Sequence, residues 1–217
     1  MVEAGIDKIM FTGSVATGKR VAEMCARHLI PVVLELGGKD PMIVLDDADL
    51  RTAASAAVWG AFCNSGQACA SVERLYVHEK IAPQFIERII TETRALRQNT
   101  GVKDETEIGA MSSERQLAIV EEHVRDALAQ GARALTGAKR AEGLDGPFYE
   151  PTVLADVNHR MMVMREETFG PVLPLMTFKT EDEAVRLAND SVFGLTASVW
   201  TRNIARGRRV AERISRS

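Results

Sequence analysis

Cysteine and histidine are scarce in this 217-residue chain, which holds three of the first and four of the second. Cys25, Cys63 and Cys69 form an odd set whose spacings suit neither a disulfide framework nor a zinc site. Such usage fits a reducing compartment, and a cytoplasmic location is the expectation. His28, His78, His123 and His159 show no metal-ligand spacing, so no metal is expected. Long apolar runs are missing too, which argues against a membrane-spanning helix. The opening residues Met1 to Lys8 include acidic side chains and no apolar core, so a secretory leader is not expected there. Basic runs go no further than Arg206-Gly207-Arg208-Arg209, and the net charge is −3. Nucleic acid is therefore not an expected partner.

What remains is a composition able to build a sizeable core, 46% hydrophobic and 26% charged. Short apolar runs alternate with helical periodicity. Lys8 to Phe11 reads as a strand, Val15 to His28 as a helix and Pro31 to Leu36 as the next strand. Met42 to Leu45 follows as a strand, then an Ala-rich helix from Leu50 to Phe62 that Asp47 or Asp49 can cap. Arg74 to Val77 reads as a strand, and Ile81 to Leu96 and Ser113 to Gln130 as amphipathic helices. The polar, Gly-rich run Thr136 to Pro147 reads as a surface excursion. Val172 to Phe178, Glu181 to Ala188, Ala197 to Trp200 and Asn203 to Ile214 continue as strand, helix, strand, helix. Repeated alternation of this kind predicts an α/β fold with a largely parallel sheet.

Between the first strand and helix, Gly13-Ser14-Val15-Ala16-Thr17-Gly18-Lys19-Arg20 meets most of the phosphate-loop pattern G-x-x-x-x-G-K-[ST]. Arg20 stands where the pattern needs a hydroxyl for magnesium, which disfavours a nucleoside triphosphatase. A helix opening can still receive a diphosphate through its backbone amides and partial positive charge. A dinucleotide pyrophosphate suits it.

Two further residues carry chemistry. Cys69 lies in Asn64-Ser65-Gly66-Gln67-Ala68-Cys69-Ala70, and Glu35 lies upstream in Leu34-Glu35-Leu36-Gly37-Gly38-Lys39. A thiol is only a few per cent thiolate at neutral pH unless a base, a positive field or a helix N-terminus assists it. A thiol nucleophile and a carboxylate base are the roles these residue types suit.

Phe11-Thr12-Gly13-Ser14, Glu35-Leu36-Gly37-Gly38-Lys39, Gly66-Gln67-Ala68-Cys69 and Glu166-Glu167-Thr168-Phe169-Gly170-Pro171-Val172 occur in one order and spacing. As a set they resemble the NAD(P)-dependent aldehyde dehydrogenase superfamily. Ile108-Gly109-Ala110-Met111, Asn189 and Phe193-Gly194-Leu195 extend the resemblance through nearly the whole chain. It implies an open, largely parallel sheet with flanking helices and an incomplete Rossmann-type cofactor domain. Residues 1–37 would be the C-terminal remnant of that domain, and 38–217 the thiol-bearing catalytic domain without its C-terminal end.

The resemblance also implies roles. Cys69 would attack an aldehyde, hydride would leave for NAD or NADP, and Glu35 would activate the water that hydrolyses the thioester. Gly13 and Ser14 would approach the pyrophosphate, and the Leu36 backbone the carboxamide. Glu167 would hold the nicotinamide ribose, with Phe169 beside the ring. Trp59, Phe62 and Ala70 would give an apolar wall, while Arg74 would meet an acidic substrate or serve structure. The presence of Glu35 disfavours acyl transfer to CoA, which needs no water-activating carboxylate. Family members are longer homo-oligomers, so the chain is expected to be a fragment. Its alternative role is chain association without turnover.

Overall fold

The computed structural model describes residues 5–101 and 106–215. Two compact units divide the chain, Met1–Gly38 and Lys39–Ser217.

The first unit is a β-α-β element. Strand β1 (Ile9–Gly13) runs parallel to β2 (Val32–Leu36), with Ile9 opposite Val32 and Gly13 opposite Leu36. Helix α1 (Val15–Arg27) connects them. It begins at Ser14, whose Oγ accepts from the Thr17 amide at 3.3 Å, the usual way a short hydroxyl side chain satisfies an amide at a helix start. Gly18 lets the helix sit close to the strands, because a Cβ there would lie 2.5 Å from Leu36 Cδ2.

The second unit holds a six-stranded sheet in the order β5-β6-β7-β4-β3-β8. Its strands are β3 (Asp40–Val44), β4 (Val72–His78), β5 (Arg133–Ala134), β6 (Thr152–Ala155), β7 (Val172–Phe178) and β8 (Ser198–Trp200). Every pairing is parallel except β5 with β6. The helices are α2 (Leu50–Phe62), α3 (Ala82–Ala95), α4 (Glu114–Ala129), α5 (Met162–Arg165), α6 (Glu181–Asn189) and α7 (Ile204–Ala211).

A parallel sheet needs crossover helices, which cover its faces and make its strands apolar throughout rather than alternating. The strands of the second unit follow that rule. Met42, Val44, Leu75 and Val77 pack with Ala57, Phe62, Phe85 and Ile89 of α2 and α3 on one face. Ile43, Leu45 and Tyr76 pack with Leu117, Val124, Ala184 and Val210 of α4, α6 and α7 on the other. Each fully buried aliphatic or phenyl side chain contributes about 1.5–3 kcal/mol of hydrophobic stabilisation.

The elements expected from periodicity are present, with small shifts at their ends. Asp49 rather than Asp47 caps α2, its Oδ1 accepting from Thr52 N at 2.9 Å. Helix α7 ends earlier than its pattern suggests, at Ala211. Three elements have no counterpart in the sequence reading: β5, β6 and α5. They are two to four residues long, and segments so short carry only a weak periodic signal. The 136–147 excursion belongs to the second unit, tied back by Ala138 N donating to Thr152 Oγ1 at 2.8 Å.

Candidate active site

In the first unit the singled-out residues gather at the carboxyl ends of the two strands. Gly13 closes β1, Glu35 and Leu36 close β2, and Ser14 opens α1 immediately afterwards. Glu35 and Ser14 are exposed, while Leu36 is half-buried against Gly18. Ligands of open parallel sheets bind at such carboxyl ends.

In the second unit the opposite ends matter. Cys69 precedes β4, and Glu167 and Phe169 precede the neighbouring β7. Helix α2 stops at Phe62, and Asn64, Ser65 and Gly66 take φ values of 52°, 57° and 69°. Three left-handed residues in succession reverse the chain and need anchoring. Asn64 Nδ2 donates to Gln67 O at 2.9 Å, Ser65 Oγ to Gly109 O at 3.0 Å, and Ser112 N to Gln67 Oε1 at 2.7 Å. Gln67 of the Gly-Gln-x-Cys motif therefore fixes the thiol loop to the segment before α4. Cys69 itself is exposed on that braced loop.

The 166–170 segment is braced from both sides. Phe169 is left-handed at φ 48°. Glu73 Oε2 accepts from Thr168 N and Glu73 Oε1 from Phe169 N, each at 2.8 Å. Gln116 Nε2 donates to the carbonyls of Thr168 and Phe169 at 2.9 and 3.2 Å. Beneath lies a buried polar cluster: Lys39 Nζ meets Glu73 Oε2 at 2.5 Å and Thr168 Oγ1 at 3.1 Å, and His123 Nδ1 meets the same hydroxyl at 3.1 Å. Burial pushes the Lys39 ammonium below its ordinary range, with Glu73 opposing the shift. Burial, and then the Lys39 charge, lower His123.

The two braced loops touch. A Cβ on Gly66 would stand 2.1 Å from Gly170 O, and one on Gly170 would stand 2.3 Å from Val120 Cγ2. Both motif glycines thus have a steric reason. Beside the thiol loop a groove is lined by Trp59, Gly60, Ala70, Val72, Thr196 and Trp200. Trp59 is 72% exposed. Phe62 is not part of that wall: at 1% exposure it sits in the core, because it follows Ala61 on the face of α2 that packs on the sheet. Arg74 is buried and structural. It donates to the carbonyls of Lys39, Leu187, Ala188 and Asp190, gripping the end of α6.

Sequence reasoning assigned no role to Glu73, Gln116, His123 or Thr168. A signal existed for one of them. Glu73-Arg74 interrupts an otherwise apolar strand, and charges in a covered inner strand must have partners. Among the described residues, no three His, Cys, Asp or Glu side chains converge to hold a metal, and no helix is long and apolar enough to cross a membrane.

The sequence matches the aldehyde dehydrogenase family over residues 1–217. It is 49% identical, over 97% of its length, to the 4,4'-diapolycopene aldehyde oxidase of a Methylomonas species. Its structure is similar to that of the putative aldehyde dehydrogenase PutA from Anabaena variabilis, with a TM-score of 0.93 and 44% identity over 96% of the chain. It is also similar to betaine aldehyde dehydrogenase from Staphylococcus aureus in complex with NAD+, with a TM-score of 0.92 and 35% identity over 96% of the chain. The chain spans 39%, 45% and 42% of those three proteins respectively. Sequence and structure together place the chain in the aldehyde dehydrogenase family.

Proposed function

We propose that these residues serve the NAD(P)-dependent oxidation of an aldehyde to a carboxylic acid. The observation that carries this reading is the exposed Cys69 on a loop packed against the segment that bears Glu167 and Phe169.

The residues fit a dinucleotide. The α1 opening, with Gly13 and Ser14 at the end of a parallel strand, suits a pyrophosphate. Glu167 supplies acceptors for the nicotinamide ribose hydroxyls, Phe169 a surface for the ring, and the Leu36 backbone a contact for the carboxamide. When bound, the nicotinamide accepts a hydride. The Cys69 thiolate adds to the aldehyde carbon, forming a C–S bond and an oxyanion that the Cys69 backbone amide can stabilise. Hydride departure leaves a thioester on Sγ. Glu35 takes a proton from water, the hydroxide adds to the thioester, and C–S cleavage releases the acid and regenerates the thiol.

This reading puts the cofactor-domain remnant at 1–37 and the catalytic domain at 38–217. It also includes a cytoplasmic setting, homo-oligomeric assembly, and no membrane or nucleic-acid partner. The Trp59 groove favours an aldehyde with an apolar body.

A second reading, association with other chains without turnover, is supported by β8, which pairs with β3 alone among the described strands. The test is nicotinamide reduction followed by absorbance, with short aliphatic, aromatic and semialdehyde substrates and NAD or NADP, on the chain and on its Cys69→Ala form. Turnover that vanishes with the substitution supports the dehydrogenase. No turnover in either favours the second reading.

A further inference from the structure

Glu73 lies on β4, four residues beyond the thiol, and is almost fully buried with Lys39. Taking two charges out of water is costly, and a pair of apolar residues would often stabilise a fold as well or better. Something else must account for a carboxylate here, and its contacts suggest what. Its two oxygens receive three donors: Lys39 Nζ at 2.5 Å, Thr168 N at 2.8 Å and Phe169 N at 2.8 Å. Two consecutive amides converging on one carboxylate hold the peptide between Thr168 and Phe169 in a single orientation. The left-handed φ of 48° at Phe169 is a conformation that a bulky L-residue keeps only when its surroundings impose it. Gln116 grips the carbonyls of the same two residues from the other side. Lys39 supplies the counter-charge and ties the Thr168 hydroxyl into the cluster, where His123 also bonds it. Other charges also face the cluster: Arg74 and Glu167 act on Lys39, and Glu122 and Glu166 act on His123, with Glu166 Oε2 3.9 Å from His123 Nε2.

We infer that Glu73 is a positioning residue for the nicotinamide-ribose site: it fixes the Thr168–Phe169 backbone and thereby the directions of the Glu167 and Phe169 side chains. The inference rests on the proposed dehydrogenase reading. Glu73 touches no reacting atom. Its effect passes through two amides, and the Gly170–Gly66 contact links the same segment to the thiol loop.

The test compares NADH with AMP, which lacks the nicotinamide half, on the intact protein and its Glu73→Gln form. NADH binding is followed by nucleotide fluorescence, and AMP binding by displacement. Glutamine keeps the size but offers one acceptor oxygen to three donors. The expected result is NADH affinity weakened about 10- to 100-fold with AMP affinity held within about twofold. A second variant, Lys39→Met with Glu73→Leu, removes both charges and keeps an apolar fill. It should recover the thermal midpoint without recovering NADH affinity. Native NADH affinity in either folded variant, or parallel loss of NADH and AMP affinity, would overturn the inference while leaving the dehydrogenase reading intact. A wild-type protein that binds neither nucleotide would overturn that reading, and the inference with it.

Discussion

Gly66 and Gly170 meet across two loops so closely that a Cβ on Gly66 would stand 2.1 Å from the Gly170 carbonyl oxygen. Gly66 also has φ +69°. The contact joins the loop carrying Cys69 to the segment carrying Glu167 and Phe169, and neither loop can shift without the other.

Gly66→Ala should therefore be severe. It combines a left-handed backbone with a backbone clash that no side-chain rotation relieves, and a loss of about 3 kcal/mol or more is expected. Gly109 has nothing within 4 Å of a built Cβ and no positive φ, so Gly109→Ala should stay within about 0.5 kcal/mol. Urea midpoints of the two variants check the contrast, and equal midpoints would refute the steric account.

Arg74→Met should lose more than about 3 kcal/mol, because several carbonyls held by the guanidinium would be left buried without their donor. Arg74→Lys should recover little, since one ammonium cannot span carbonyls that a planar fork reaches together. Full stability in the lysine variant, read from denaturant unfolding, would show that charge rather than geometry matters at this position.

Stability should fall as pH drops below the ordinary histidine value of 6.5. Burial lowers both His123 and His159, with Lys39 adding to the shift at His123 and Asp190 opposing it at His159. The unfolded chain then binds protons near 6.5 that the native state refuses. Stability is complete above that pH and is lost as pH falls toward the depressed native values. His123→Gln should flatten part of this slope between pH 7.5 and 5.5. An unchanged slope in urea titrations would remove His123 from the explanation.

Two of the three thiols should react in the native protein. Cys63 and Cys69 are exposed, whereas Cys25 is buried. Iodoacetamide followed by peptide mass spectrometry should label Cys63 and Cys69 first and Cys25 only after denaturation. Early labelling of Cys25 would contradict its burial on the inner face of α1.

Most of the fold was legible because its signals are local. Apolar runs such as Met42 to Leu45 and helical stripes such as that of α3 announce themselves within a dozen residues. Caps at Ser14, Asp49 and Ser113 fall where short polar side chains precede a periodic run. The strands β5 and β6 and the single turn α5 escaped because segments so short carry only a weak periodic signal. Phe62 escaped as a core residue because an aromatic near a reactive loop suits a site wall as readily as a core.

The sequence by itself determined the α/β alternation, the parallel pairing that long helical crossovers require, and the two motif loops, since all three follow from residue type and spacing along the chain. Only the tertiary structure decided that Lys39, Glu73, His123 and Thr168 form one buried cluster, and that Gly66 rests on Gly170. Those partners lie between 34 and 129 residues apart in the contacts that join Lys39 to Glu73 and Thr168. A buried charge declares in the sequence that it needs a partner, but which partner it finds depends on which strands the sheet sets side by side.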